Sequence, residues 1–243
     1  PAHLSRMDVA LGECLCSGVL SEIHGPAGVG KSQLAMTLGV EALIRDPNTR
    51  VLLIRTGASV TKRFLAIATA RGLSSERFGR DLLTATAHDA PMLHAALETK
   101  NVRRGFLLVI VDSIADILRG VSSSSGKMSS AKDERRKAAE AANAVAAALK
   151  KMAASGQCAV LLVNQARADF NGNGNGTLPV SDAILAKIAK PRFSLSRKDG
   201  GGCPREITLA TGDLDECGDK PFAAFTITDA GIAEPAASSG DED

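Results

Sequence analysis

One octapeptide constrains this chain more than any other feature. Gly25-Pro-Ala-Gly28-Val-Gly30-Lys31-Ser32 satisfies the pattern G-x-x-x-x-G-K-[ST] in full. Just before it, Val19-Leu-Ser-Glu-Ile23 has the character of a strand; just after it, Lys31 to Ile44 reads as a helix, with Leu34, Leu38 and Ala42 at four-residue steps. Strand, glycine-rich loop and helix in that order make a phosphate-binding loop. The glycines let the backbone curl so that successive N–H groups face phosphate oxygens. The helix N-terminus adds its partial positive charge. Gly25, Pro26, Ala27, Gly28, Val29, Gly30, Lys31, Ser32 and the adjoining Gln33 are therefore candidate nucleotide-binding residues. Lys31 has the reach for β- and γ-phosphates, and Ser32 is placed to ligate Mg2+. The implied ligand is a nucleotide phosphate group with Mg2+; the sequence carries no Asn-Lys-x-Asp motif for guanine, so a GTPase is not expected.

A loop of this kind belongs to a parallel sheet, and the remaining chain reads that way. Arg50–Ile54, Leu82–Ala85, Phe106–Val111 and Ala159–Val163 read as strands. Thr61–Arg71, Ala90–Lys100 and Lys132–Ala154 read as helices between them, the last with Ala138, Ala142, Val145, Leu149 and Met152 on one stripe. FLLVIV and AVLLV are apolar throughout, the pattern of strands covered on both faces. The expectation is an α/β fold with a mainly parallel central sheet and helices on both faces. Arg192–Leu195, Arg205–Leu209 and Ala223–Thr228 are shorter and half-polar, and are expected as antiparallel additions at one edge.

Two polar residues stand at the ends of apolar strands, where open α/β sheets bind ligands. Asp112 follows FLLVIV and either holds the Mg2+ shell opposite Lys31 and Ser32 or caps the next helix. Gln165 follows AVLLV-Asn164 and either senses the γ-phosphate or merely ends its strand. Lys31, Asp112 and Gln165 are the candidate catalytic residues; Ser32 and Asp112 are the candidate metal ligands.

Composition excludes other classes. With 44% hydrophobic and 23% charged residues among 243, the chain is neither disordered throughout nor fibrous. A net charge of +2 advertises no nucleic-acid surface at large, so DNA contact would be local. The absence of Trp and Tyr, with only 7 Phe, leaves little for stacking on bases. No apolar run is long enough for a bilayer, so no membrane partner is expected. The 5 cysteines are odd in number and read as reduced thiols; Cys14 and Cys16 are either part of a metal cluster or small buried or half-buried thiols. The Ser/Gly run Val121–Ser130 and the Asn/Gly run Asn171–Gly176 are expected to be mobile. Residues 1–235 read as one core, and residues 236–243, ending Gly-Asp-Glu-Asp, as a disordered acidic tail.

GPAGVGKSQLA, LLVIVDSIADILRG and VLLVNQ with its glycine-rich sequel together resemble the RecA-type recombinase core of eukaryotes and archaea. Gly18–Ile23 and Phe225–Ile232 are most similar to the B-type recombinase paralogues. The resemblance implies a RecA-like P-loop ATPase core that binds ATP and single-stranded or branched DNA. It also implies partnership with other paralogues in homologous-recombination repair, in the nucleus. By that analogy residues 120–130 and 166–179 are the two DNA loops. Lys127, Lys132, Arg135, Arg136 and Arg167 then become candidate DNA contacts, with a solvated helix face as the other reading. Arg63 is placed to stack on adenine, and Asp219–Pro221 resembles a segment that caps a neighbour's ATP.

The chain also departs from that family. Gly57 stands where a water-orienting Glu is expected, a loss that typically costs roughly 10²–10⁴ in rate. Phe64-Leu-Ala-Ile67 does not match the Phe-x-x-Ala polymerisation hook, and no N-terminal helix-hairpin-helix domain is seen. The expectation is an ATP-binding, slowly hydrolysing recombinase paralogue. The competing expectation is a nucleotide-gated adaptor with little or no hydrolysis or direct DNA binding.

Overall fold

A strand that is apolar on both faces has to be covered on both, and the chain does this by alternating strands with crossover helices. The computed structural model describes residues 12, 16–57, 60–98, 107–123, 131–156, 158–168, 177–180, 182–197, 205–211 and 223–235. Its strands are β1 (Leu20–Gly25), β2 (Arg50–Arg55), β3 (Leu82–Thr86), β4 (Leu107–Asp112), β5 (Cys158–Ala168), β6 (Thr177–Pro179), β7 (Arg192–Arg197), β8 (Arg205–Thr211), β9 (Ala223–Thr228) and β10 (Gly231–Ala233). Its helices are α1 (Lys31–Arg45), α2 (Thr61–Ala70), α3 (Ser75–Asp81), α4 (Ala90–Glu98), α5 (Ile114–Ser123), α6 (Ala131–Ala154) and α7 (Asp182–Leu185).

The sheet runs β10-β9-β8-β7-β1-β5-β4-β2-β3, with β6 paired to β5 off that path. Pairing is parallel from β7 through β1, β5, β4 and β2 to β3. It is antiparallel among β7, β8, β9 and β10. Alternate residues of each strand serve opposite layers, as the period of two requires. Ile23, Val51, Leu53, Ile110 and Leu161 pack with α1, α2 and α3. Leu20, Leu52, Ile54, Val109 and Leu162 pack with α4 to α7. The mainly parallel sheet between two helical layers is the expected one.

The differences from the sequence reading lie where local pattern was weakest. Arg192–Leu195 is not an antiparallel edge addition to β1: β7 runs parallel to β1 and becomes an inner strand, with Phe193 and Leu195 fully buried. Its polar first residue, Arg192, misleads because its partner lies on the neighbouring strand. β5 continues past Val163 to Ala168, where β6 pairs with it, so part of the expected 166–179 loop is a two-stranded ribbon. α5 reaches Ser123 and so takes in the start of the Ser/Gly run. Ile114, Ile117 and Leu118 anchor that helix in the core. Cys14, Lys127, Asp219–Pro221 and residues 236–243 lie outside the described residues.

A buried ion pair ties the inner strands. Glu22 of β1 has no exposed side-chain surface, and Arg192 Nε donates to its Oε2 at 2.5 Å. Asn164 of β5 donates from Nδ2 to Glu22 Oε1 at 2.6 Å and to the Val180 carbonyl at 2.8 Å.

The C-terminal hairpin is clamped onto α1 and α2. Arg71 pairs with Glu41 and donates to the Ala230 and Ile232 carbonyls at 2.6 and 2.7 Å. Thr37 Oγ1 accepts from Ile232 N at 3.0 Å.

Removing one partner of a buried pair strands the other charge. Arg192→Ala is therefore expected to cost about 3–5 kcal/mol. The double change Glu22→Leu with Arg192→Met should recover most of that loss. Urea midpoints of the three proteins check both statements.

Candidate functional site

β1 delivers Gly25 to the carboxyl edge of the sheet, where the chain leaves the strand and curls toward α1. Gly28 (φ 74°) and Gly30 (φ 109°) take left-handed backbone conformations, which glycine adopts without strain. A Cβ at Gly30 would also lie 2.9 Å from Ile227 Cδ1, so β9 packs against the back of the loop. Arg197 of β7 donates from Nη2 to the Gly28 carbonyl at 2.8 Å and braces the loop from the other side.

Lys31 is buried, and its Nζ donates to the carbonyls of Gly25 and Pro26, both at 2.8 Å. Burial lowers its pKa, and the nearby Asp112 carboxylate partly opposes that. Asp112 ends β4 and is pushed the other way: burial raises its pKa. Its hydrogen bond with the Ser32 hydroxyl and the Lys31 ammonium oppose the rise, and Asp116 adds to it. Lys31 and Ser32, at the start of α1, therefore meet Asp112, at the end of β4. A hydroxyl and a carboxylate in contact are hard oxygen donors of the kind Mg2+ takes, so the residues fit that ion.

Gln165 lies level with Gly25 across the β1–β5 pair and is half-buried. Its backbone N–H donates to Asn164 Oδ1, and its carbonyl accepts from Val180 N, at 2.8 and 2.9 Å. β5 is thereby joined at Gln165 to Val180, the residue that follows β6.

Gln33 and Arg63 are brought together, with Arg63 Nε donating to Gln33 Oε1 at 2.9 Å. Arg63 also donates to the carbonyls of Thr228 and Asp229 at 2.5 and 3.0 Å. Its guanidinium edge is taken up by the hairpin, so stacking on a base would have to use its face. Phe64 is fully buried, with its ring edge-on to Phe78 at 5.5 Å.

Gly57, beyond β2, is exposed and open around its Cα. Next to it Thr56 Oγ1 donates to Asp116 Oδ2 at 2.9 Å, and Ser113 Oγ donates to the same oxygen at 2.7 Å. The sequence reading missed this cluster, although Ser113-x-x-Asp116 has the spacing of a capping box. It also missed Arg197, for which no local signal exists.

Of the candidate DNA contacts, Arg136 is the one whose side chain is among those described. Arg136 is exposed on α6 and pairs with Glu140 at 3.3 Å, one turn on. Lys132 and Arg135 lie on α6 and Arg167 on β5, with their side chains outside the described set. Cys158 is buried, its thiol pushed up to about 12 by desolvation, and Cys16 is exposed. Among the described residues no group of three or more His, Cys, Asp or Glu could hold a metal. No described helix is long and apolar enough to cross a membrane.

Asp112 has a pKa raised in the fold, so its ionised form disfavours the nucleotide-free protein. That cost is present above the folded pKa and fades as pH falls through it. Asp112→Asn should therefore raise the melting temperature of the nucleotide-free protein near neutral pH. The same change should remove any Mg2+ dependence of nucleotide binding. Thermal scans over pH and an ATP titration with and without Mg2+ check the pair of effects.

The arrangement has relatives among known proteins. The chain is 27% identical over 243 residues to the DNA repair protein RAD51 of Saccharomyces cerevisiae, which covers 95% of this chain and 58% of that protein. It is 26% identical over 236 residues to the DNA repair and recombination protein RadB of Halobacterium salinarum, covering 96% of this chain and 93% of RadB. A shorter match, 28% over 135 residues, is to the DNA repair protein RAD51 homolog 2 of Arabidopsis thaliana and covers 49% of this chain and 36% of that protein. The chain thus spans under two thirds of yeast RAD51 but nearly all of RadB. The Rad51 family model matches residues 3–235, which take in every strand and the glycine-rich loop described above, and the chain belongs to the Rad51 family of RecA-type recombinases.

Proposed function

We propose that this chain is an ATP-binding, slowly hydrolysing recombinase paralogue that acts in homologous-recombination repair. The observation that carries the reading is the meeting of Lys31, Ser32 and Asp112 at the carboxyl edge of β1 and β4, with Gln165 level with Gly25. The names of its relatives, DNA repair and recombination proteins, supply the process. Residues 1–235 would act as one ATPase core, with 236–243 as a tail outside it.

Each residue has a role in that reading. The loop N–H groups and Lys31 bind the phosphates, Lys31 exchanging its loop carbonyls for phosphate oxygens. Ser32 and Asp112 would hold Mg2+, which supplies charge neutralisation at the β- and γ-phosphates. Gln165 would report the nucleotide state to 166–179 through Asn164 and Val180. An ordering of that loop would then alter contact with single-stranded or branched DNA, or with another paralogue. Arg136, Lys132, Arg135, Arg167 and Lys127 would supply phosphate contacts. Nuclear action rests on the eukaryotic relatives; the Halobacterium relative comes from a cell without a nucleus.

The competing reading, a nucleotide-gated adaptor, is favoured by Gly57, which leaves β2 without a water-orienting side chain. Turnover with and without single-stranded DNA separates the two: stimulation marks a DNA-dependent ATPase, and background turnover with tight binding marks an adaptor. Under either reading Lys31→Ala removes a charge-assisted contact worth roughly 1.5–3 kcal/mol, or about 10- to 150-fold in ATP affinity. An unchanged ATP dissociation constant in that variant would sink the nucleotide assignment. Wild-type protein at 100 times its dissociation constant in ATP should gain about 2.7 kcal/mol of stability, seen as a higher melting temperature.

A further inference from the structure

We infer that Asp116 supplies the water-positioning carboxylate that the end of β2 lacks. The inference rests on the reading above, in which the chain binds and slowly hydrolyses ATP. Hydrolysis needs a water held against the γ-phosphate by a group that can accept its proton. The group must stand at the carboxyl edge of the sheet, beside the phosphate loop. β2 ends Arg55-Thr56-Gly57; Arg55 Nη1 donates to the Gly57 carbonyl at 3.2 Å, and Gly57 has no side chain. Asp112 is already committed to Ser32. Among the described residues just beyond β1, β2, β4 and β5, the remaining carboxylate is Asp116.

Its setting suits the task. Asp116 lies in the first turn of α5, yet both hydroxyls that hold it come from the sheet's carboxyl edge. Thr56, immediately before Gly57, donates at 2.9 Å and Ser113, immediately after Asp112, at 2.7 Å, both to Oδ2. Thr56 N donates to the Asp112 carbonyl at 3.0 Å and Ser113 N to Thr56 Oγ1 at 3.2 Å, so the ends of β2 and β4 close around the carboxylate. Its charge reaches Asp112, which places it within range of the metal ligand. A carboxylate supplied from α5 instead of β2 thus stands at the same strand end, in contact with Thr56.

In the step, the water oxygen bonds to the γ-phosphorus as the bond from phosphorus to the β–γ bridging oxygen breaks. The electron pair of that bond leaves with ADP. The proton released by the water passes to Asp116 and from there to the departing phosphate.

Capping α5 would also explain Asp116, and Asp116→Asn separates the two roles. The amide oxygen still accepts from Thr56 and Ser113, so the cap survives, but it cannot take a proton. Wild type, Asp116→Asn, Gly57→Glu and the double variant are compared by single-turnover ATP hydrolysis, ATP titration, titration with ADP plus aluminium fluoride, and thermal melting. The expected result for Asp116→Asn is a hydrolysis rate lower by at least about tenfold. Its melting temperature and ATP affinity should stay within error of wild type, while its affinity for ADP plus aluminium fluoride falls about tenfold. Gly57→Glu, whose new side chain enters open space, should restore hydrolysis in the Asp116→Asn background. Wild-type hydrolysis in Asp116→Asn, or tight ATP binding with background turnover in the wild type, overturns the inference and leaves the nucleotide site standing. A wild type that binds no ATP overturns both.

Discussion

A carboxylate without exposed surface in the middle of a sheet is costly unless it is paired, and the pairing of Glu22 organises this molecule. Glu22 sits on the strand that ends in the phosphate loop. Its two oxygens are taken by Arg192 of β7 and Asn164 of β5, the strands on either side. Asn164 carries the connection on to Val180 and, through its Oδ1, to the backbone of Gln165. One charge therefore ties together three neighbouring strands, among them the one that leads into the loop. A Leu at this place would pack, but it would distinguish neither β7 from other strands nor one register from another.

The site itself runs against stability. Lys31 is buried and Asp112 half-buried, and desolvation disfavours the charge on each. Their mutual attraction and the Ser32 hydroxyl offset this only in part. The remainder of the structure supports the strained centre from outside. Ile227 of β9 packs behind Gly30, Arg197 holds Gly28, and Arg63 and Arg71 fasten the hairpin that carries Ile227. The last strands of the chain thus back the candidate nucleotide site.

Much of this was legible beforehand. The alternation of FLLVIV and AVLLV with amphipathic helices left few topologies, and Leu34, Leu38, Val145 and Leu149 occupy the predicted buried faces. The motif put Lys31 and Ser32 at the start of α1 and the end of FLLVIV put Asp112 across from them, whereas Gln165, read as the end of its strand, lies inside β5, which runs on to Ala168. What local pattern could not show were pairings between distant segments. Arg192 looks like an edge residue until Glu22, 170 positions away, is brought beside it. Arg63 looks free to meet a base until residues 228 and 229 claim its edge. Asp116 looks like a cap until Thr56, 60 positions away, arrives on the same oxygen.

By itself the sequence determined the place of the candidate phosphate loop, the buried stripes of the helices and the Rad51-type order of the motifs. These follow from spacing along the chain, because turns, helix faces and strand faces are local periodicities. Only the tertiary structure decided that β7 is an inner parallel strand, that the C-terminal hairpin backs the loop, and that a carboxylate from α5 stands at the bare end of β2. Those outcomes depend on which buried polar groups find partners across the sheet. That matching is a property of the assembled core, and no window of sequence contains it.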